Sequence, residues 1–207
     1  MKHKTRSETM EETRRRLLLS ARRSFGVDGY AAAVMDELTA AAGVTRGALY
    51  HHFGDKKGLL LAVAQMLDAE IETGLAQAER EAAGPWPGFK RRCHAYLQAV
   101  TQPEAQRILL RDAPAALGAE YVQAGQRQCV DAIAERLRAL MDGGLIRRAE
   151  PQALARLING ALLEGACWAS SAERPTEALA QARDALETLL EGLRRNESEE
   201  RVYNLAS

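Results

Sequence analysis

Residues 38–57 read LTAAAGVTRGALYHHFGDKK, and the meaning of the rest of the chain turns on them. Gly43 closes an apolar helical run and precedes Val44, where the backbone needs a positive φ to end one helix and swing into the next. Thr45 offers a side-chain oxygen to cap the second helix. On a helical wheel Leu49 and Phe53 point inward with Val44, while Gly47, Ala48, Tyr50 and His51 point away. The outward face is narrow and carries few long side chains. Two short helices joined at a steep angle through a glycine turn make a helix-turn-helix, whose second helix enters the DNA major groove by its N-terminal end. That end is TRGALYHH, residues 45–52.

Each residue type on this face suits a duplex. Arg46 lies in the first turn of the second helix, where a guanidinium can reach guanine O6 and N7 in a bidentate fork. Gly47 and Ala48 are too short to hold the helix off the groove. Tyr50 can bond a phosphate or pack on a thymine methyl, and His51 and His52 can donate to phosphates. The two histidines do not make a metal pair, because neighbours on a helix diverge by about 100°. Asp55 caps the following helix and puts Lys56 and Lys57 in its first turn, where the helix dipole disfavours a cation. An external phosphate is therefore the expected partner of Lys56.

The segment from Thr13 to Gln65 resembles the TetR-type transcriptional regulators. The resemblance rests on a helix ending in FGVDGY (25–30), a helix ending in AAAGV, and TRGALYHHF followed by DKKGLLLAV. It implies an all-α chain of about nine helices: a three-helix DNA-binding domain over 1–57, then a helical ligand-binding and dimerisation domain over 58–195. It further implies a homodimer on pseudo-palindromic double-stranded operator DNA, released by a small-molecule effector. Thr45, Arg46, Gly47, Ala48, Tyr50, His51, His52 and Lys56 carry the DNA contacts in that reading. The chain departs from the family pattern in two respects. Ala33 and Val34 stand where a capping Thr or Ser is usual, at a cost of about 0.5–2 kcal/mol. Thr39 stands where Ala is usual.

The bulk properties agree with this. The 207 residues are rich in Ala, Leu, Arg and Glu at helical spacing, which argues an all-α chain. Net charge is zero, yet residues 1–60 hold 11 Lys or Arg against 7 Asp or Glu, while the remainder holds 17 against 21. The basic half carries the turn motif. No apolar run approaches the ~20 residues of a membrane span, and MKHKTRSETMEETRRR lacks the apolar stretch of a signal peptide, so a cytoplasmic protein with no membrane partner is expected. Cys93, Cys129 and Cys167 are odd in number and set in helical apolar patterns, which predicts buried thiols rather than disulfides or a metal site. No nucleotide, nucleophile-elbow or zinc-protease motif occurs, and no cofactor is implied.

In chain order, charged residues 1–8 precede a helix from about Thr9 to Val27, with Leu17, Leu18, Ala21 and Phe25 inward and its arginines facing solvent, local Glu or phosphate. The helix beginning at Lys56 runs to about Gly84. PWPG (85–88) reads as a break, and helices follow over 89–100, from Pro103 to before Pro114, over 123–141 with Cys129 inward, over 151–171 and after Pro175. Residues 196–207 read as a disordered polar tail. Leu162, Gly165, Ala169, Leu179, Ala182, Leu186, Leu190 and Leu193 form an apolar seam on the last two helices, expected to pair two subunits in a four-helix bundle as in the family, or else to close the core of one chain. His94, Tyr96, Arg111, Asp112, Tyr121, Glu164 and Trp168 are the polar and aromatic residues that could line an effector pocket. An enzyme would rest on Cys93, His94 and Asp112, whose spacing fits no mechanism. A DNA-binding regulator gated by thiol oxidation or a protein partner is the alternative reading.

Overall fold

The computed structural model describes residues 6–194, built from helices with one isolated bridge between Ile146 and Arg194. The helices are α1 (Arg6–Val27), α2 (Met35–Ala41), α3 (Arg46–Phe53), α4 (Lys56–Arg80), α5 (Pro85–Val100) and α6 (Pro103–Ala105). A π-helical segment (Gln106–Asp112), α7 (Ala113–Leu117), α8 (Ala119–Asp142), α9 (Pro151–Ser171) and α10 (Pro175–Glu191) complete the set. Since α6, the π segment and α7 run on without interruption, the described residues form nine helical rods. None is long and apolar enough to cross a membrane. The tail expected at 196–207 lies outside the described residues.

Two proline-containing stretches behave differently from the sequence expectation. PWPG is not a break but the first turn of α5, with Gly84 as N-cap; a proline costs nothing there because first-turn N–H groups lack intrahelical partners. The helix expected to stop before Pro114 continues through it into α7. The wider i→i+5 winding of the π segment ahead of it relieves the clash that an α-helical turn would impose. On α8 the buried face is Val130, Ala134, Leu137, Leu140 and Met141, so Cys129 is exposed rather than inward. Cys167 is exposed as well, and Cys93 alone of the three is buried.

The chain divides into two compact units. One comprises the described residues up to Ile71 together with Gln102–Tyr121; the other comprises Glu72–Thr101 and the described residues from Val122 on. This division runs through α4 and differs from the one drawn at 57/58. In the first unit Leu17, Phe25, Leu38, Leu49, Leu60 and Val63 share a core with Ile108 and Ala113, which explains why residues 102–121 return to it. Arg22 on α1 binds Glu104 through Nε at 2.9 Å and Nη2 at 2.8 Å, and Glu70 on α4 through Nη1 at 2.8 Å. Its guanidinium is held ionised chiefly by the Glu104 bond and then by Glu70, against the cost of burial.

In the second unit α9 packs on α10 and α5. Leu162, Ala166 and Ala169 on α9 and Ala178, Ala182, Leu186 and Leu190 on α10 are buried within the chain. A Cβ on Gly165 would lie 3.7 Å from both Ala182 Cβ and Leu97 Cδ2, so small residues let these helices close on one another. The seam expected to pair subunits is thus largely the internal core, with Leu179 and Leu193 half-buried at its margins. Polar ties reinforce it: Lys90 Nζ lies 2.5 Å from carboxylate oxygens of Glu187 and Glu191, and His94 Nε2 is 2.8 Å from Glu187 Oε2. Buried Arg92 pairs with Glu72, and with Glu79 at 3.3 Å, where Arg136 also binds at 3.1 Å.

Leu190→Ala is expected to cost about 2–5 kcal/mol of folding stability, because Leu190 is fully buried and its removal leaves a cavity. Urea denaturation followed by circular dichroism measures it; an unchanged midpoint would show that this stripe does not close the core.

Candidate nucleic-acid interface

The surface formed by α2 and α3 is assembled from below by α1. Leu17, Leu18, Ala21 and Phe25 bury their side chains against Leu38 and Leu49 of the same core. The C-terminal carbonyls of α2 have no intrahelical donors. Arg16 of α1 supplies one, donating through Nη2 to the Ala42 carbonyl and to the Gly43 carbonyl at 3.0 Å, while Ser20 Oγ donates to the Leu38 carbonyl at 2.9 Å. Gly43 adopts φ 61°, and the Val44 N–H returns to the Thr39 carbonyl at 3.0 Å. Thr45 in extended backbone then caps α3, its Oγ1 accepting from the Ala48 N–H at 3.3 Å. Val34 caps α2 with no side-chain bond, in keeping with its lack of a polar oxygen.

The turn into α4 is equally constrained. Asp55 Oδ1 accepts from the Gly58 N–H at 2.7 Å, and a Cβ on Gly58 would collide with the Phe53 carbonyl oxygen. That position excludes any side chain, a requirement not singled out in the sequence.

Leu49 is buried, Ala48, His52 and Lys56 are half-buried, and Thr45, Arg46, Gly47, Tyr50 and His51 are exposed. Seven of these eight candidates lie on α3 or its cap. Lys56, at the start of α4, donates to the Ala31 carbonyl at 3.3 Å and places its ammonium 4.7 Å from the Tyr30 ring centroid. Arg46 Nη1 lies 3.0 and 3.3 Å from the two Asp36 carboxylate oxygens, and its Nη2 donates to Tyr50 Oη at 3.2 Å. Asp36 was not among the sequence candidates, and Arg16 was expected to face solvent, a local Glu or phosphate rather than to bond the turn. The signal for either would have been a packing angle between helices, which local spacing does not carry.

The effector candidates are divided between the two units. In the first unit Asp112 accepts from the Tyr30 N–H at 2.8 Å and from Arg111 at 3.3 Å, and Tyr121 packs against the core cluster. Arg111 lines a small polar cavity of about 180 Å³ with Gly26, Pro103, Gln106 and Arg107. In the second unit His94 faces Glu187, Tyr96 is half-buried on α5, and Glu164 and Trp168 are exposed on α9. Burial pushes the Cys93 thiol up to about 12. The Cys167 thiol is also raised, by desolvation and the Glu164 carboxylate.

Residues 17–63 match the family described as bacterial regulatory proteins, tetR family, and residues 86–193 match the tetracyclin repressor-like C-terminal domain. A crystal structure of a TetR-family transcriptional regulator from Pectobacterium atrosepticum is 49% identical, with a TM-score of 0.82, covering 93% of this chain and 99% of that one. The transcriptional repressor AcnR of Corynebacterium glutamicum is 41% identical over 73 residues, 33% of this chain and 39% of AcnR, so that match spans about two fifths of the relative. AibR, solved in complex with isovaleryl coenzyme A and operator DNA, shares the fold at 22% identity and a TM-score of 0.58, over 83% of this chain and 96% of AibR.

His52 provides a test of the interface in the free protein. Burial first, then the charges of His51 and Arg14, lower its pKa, against an opposing pull from Glu11. The native state therefore keeps the imidazole neutral, and its contribution is complete above about pH 6.5 and lost as the pH falls through the lowered native value. His52→Gln is expected to flatten the decline of stability between about pH 7 and 5. Equal slopes for the two proteins in pH-dependent denaturation would show that His52 contributes nothing to it.

Proposed function

The chain belongs to the TetR family of bacterial regulatory proteins, and from that membership we propose a homodimeric transcriptional repressor that binds a pseudo-palindromic operator and is released by a small-molecule effector. The observation carrying the reading is the N-terminal face of α3, where Arg46, Gly47, Tyr50 and His51 stand exposed on a rigidly braced helix. An exposed helix N-terminus with a guanidinium, two small residues and donors at its flanks fits a major groove, and Lys56 and His52 flank it as phosphate donors. The surplus of positive charge in residues 1–60 favours the same polyanion.

Dimerisation is assigned to the outer face of α9. Leu157 is 73% exposed and Trp168, three turns on, is 45% exposed, with Gly160, Ala161 and Glu164 along the same stripe. Leu189 on α10 is exposed too. Two large apolar side chains on one helix face are what a second copy would cover, and the small residues between them permit close approach.

That a small molecule and operator DNA can both be ligands of this fold is supported by AibR, solved in complex with isovaleryl coenzyme A and operator DNA; release as the response to the effector is part of the proposal. In this chain α4 is the element through which such a signal would travel. Its first residues stand beside α3, and its later residues Glu72 and Glu79 are gripped by Arg92 in the second unit. Two reading heads must sit about one helical turn apart on the duplex, ~34 Å, so a small displacement along α4 suffices to spoil register. Gating by thiol oxidation has less support, because the Cys93 thiol is buried and burial raises its pKa, while desolvation and then Glu164 raise that of Cys167, which disfavours the reactive thiolate at both.

Retardation of duplexes selected by the wild-type protein from a random-sequence pool tests the DNA reading. Lys56→Ala is expected to weaken all sequences alike and to reduce the salt slope of binding by about one. A loss confined to particular base pairs would remove Lys56 from the phosphate backbone.

Leu157→Glu combined with Trp168→Glu is expected to yield a folded monomer at micromolar concentration, with weaker operator binding, because charge buried without a partner is costly. Sedimentation equilibrium decides it: a double variant that remains dimeric places the interface elsewhere.

A further inference from the structure

We propose that Asp36 is a specificity-determining residue: it holds the Arg46 guanidinium in the plane in which it reads a base and withholds it from phosphates. The proposal rests on the DNA-binding reading above. Asp36 stands in the first turn of α2, ten residues before Arg46, and reaches it across the helix-turn-helix with Nη1 at 3.0 and 3.3 Å from its two oxygens. From the other side Tyr50, one turn along α3, accepts from Nη2 at 3.2 Å and lies with its ring centroid 5.7 Å from the guanidinium carbon. Arg46 is thus held from two helices at once.

Stability does not account for this arrangement. The Arg46 and Asp36 side chains are 56% and 66% exposed, and ion pairs so accessible to water contribute little to folding. The arrangement does restrict the guanidinium. An unbraced arginine swings over many rotamers and finds a phosphate as readily as a base, whereas one braced at Nη1 and Nη2 keeps its Nε–H and the remaining Nη2–H for an acceptor pair in the groove. The Asp36 carboxylate also repels phosphate oxygens. A reading surface gains discrimination in this way while surrendering some non-specific attraction.

The test uses the full chain and duplexes selected from a random pool by the wild-type protein, followed by every single-base variant of the selected site. Arg46→Ala identifies the base pair that Arg46 reads. Asp36→Ala is expected to lower discrimination at that same base pair by about two- to fivefold, the scale of one exposed ion pair, to raise or leave unchanged affinity for random duplex, and to spare the other positions. Asp36→Glu is expected to restore part of the preference. Asp36→Asn, which keeps the side-chain shape, serves where the alanine variant shows altered circular dichroism. An unchanged base profile in the Asp36 variants overturns the proposal. So does a loss at a different base pair, which would make Asp36 a direct reader, or an equal loss at all positions. A wild-type protein that enriches no sequence overturns instead the DNA reading on which the proposal stands, so the two failures are distinguishable.

Discussion

Helices of seven and eight residues are too short to persist alone in water, because the cost of nucleating a helix is not recovered over two turns. The candidate reading surface consists of two such helices, α2 and α3. It depends on burying Leu38 and Leu49 against α1 and on finding partners for the peptide groups at the helix ends. Ser20 bonds a carbonyl of α2, Arg16 bonds the carbonyls of the turn that follows it, Thr45 satisfies an N–H of α3, and Asp55 satisfies an N–H of α4. Removing a side chain that caps a helix end in this way costs on the order of 0.5–2 kcal/mol. These bonds set the angle at which α3 is presented, and with it what Arg46, Tyr50 and His51 can touch.

The same guanidinium chemistry serves different ends according to its surroundings. Arg22 is half-buried and shared between Glu70 and Glu104, a multidentate arrangement that fastens α1 to α4 and α6. Arg92 is buried and takes Glu72 and Glu79 from the second half of α4. Arg46 is exposed and braced at two nitrogens. The first two are positions where loss of one partner would strand a charge out of water. Exposed Arg46 is positioned to exchange water for a ligand.

α4 connects these roles. Its N-terminal turn is tied to α3 through Asp55 and the side-chain-free Gly58, and its length carries it through both compact units. Ion pairs grip it at Glu70 within the first unit and at Glu72 and Glu79 within the second. A continuous helix under such anchors is a stiffer connection than a loop, which suits the part assigned to it in effector release.

Much of this was legible in the residues themselves. Gly43, Thr45 and Asp55 act within one turn of where they stand, so backbone conformation and capping at these points follow from local chemistry, as do the apolar faces of α1, α3 and α9. By itself the sequence determined an all-helical chain, the helix-turn-helix, the family it resembles and, with half-buried Ala48 as the exception, which residues of α3 face outward. The tertiary structure decided what covers each face. The α10 stripe from Ala182 to Leu190 closes on α9 and α5 of its own chain, whereas Leu157 and Trp168 remain outside. It also decided which carboxylate or carbonyl each arginine meets, Arg16 with Ala42 and Gly43, Arg22 with Glu104, and Arg46 with Asp36. The physical reason is that helical periodicity says which side of a helix avoids water, while the partner on that side, and the partner of a long charged side chain, depend on how helices distant in sequence cross in space.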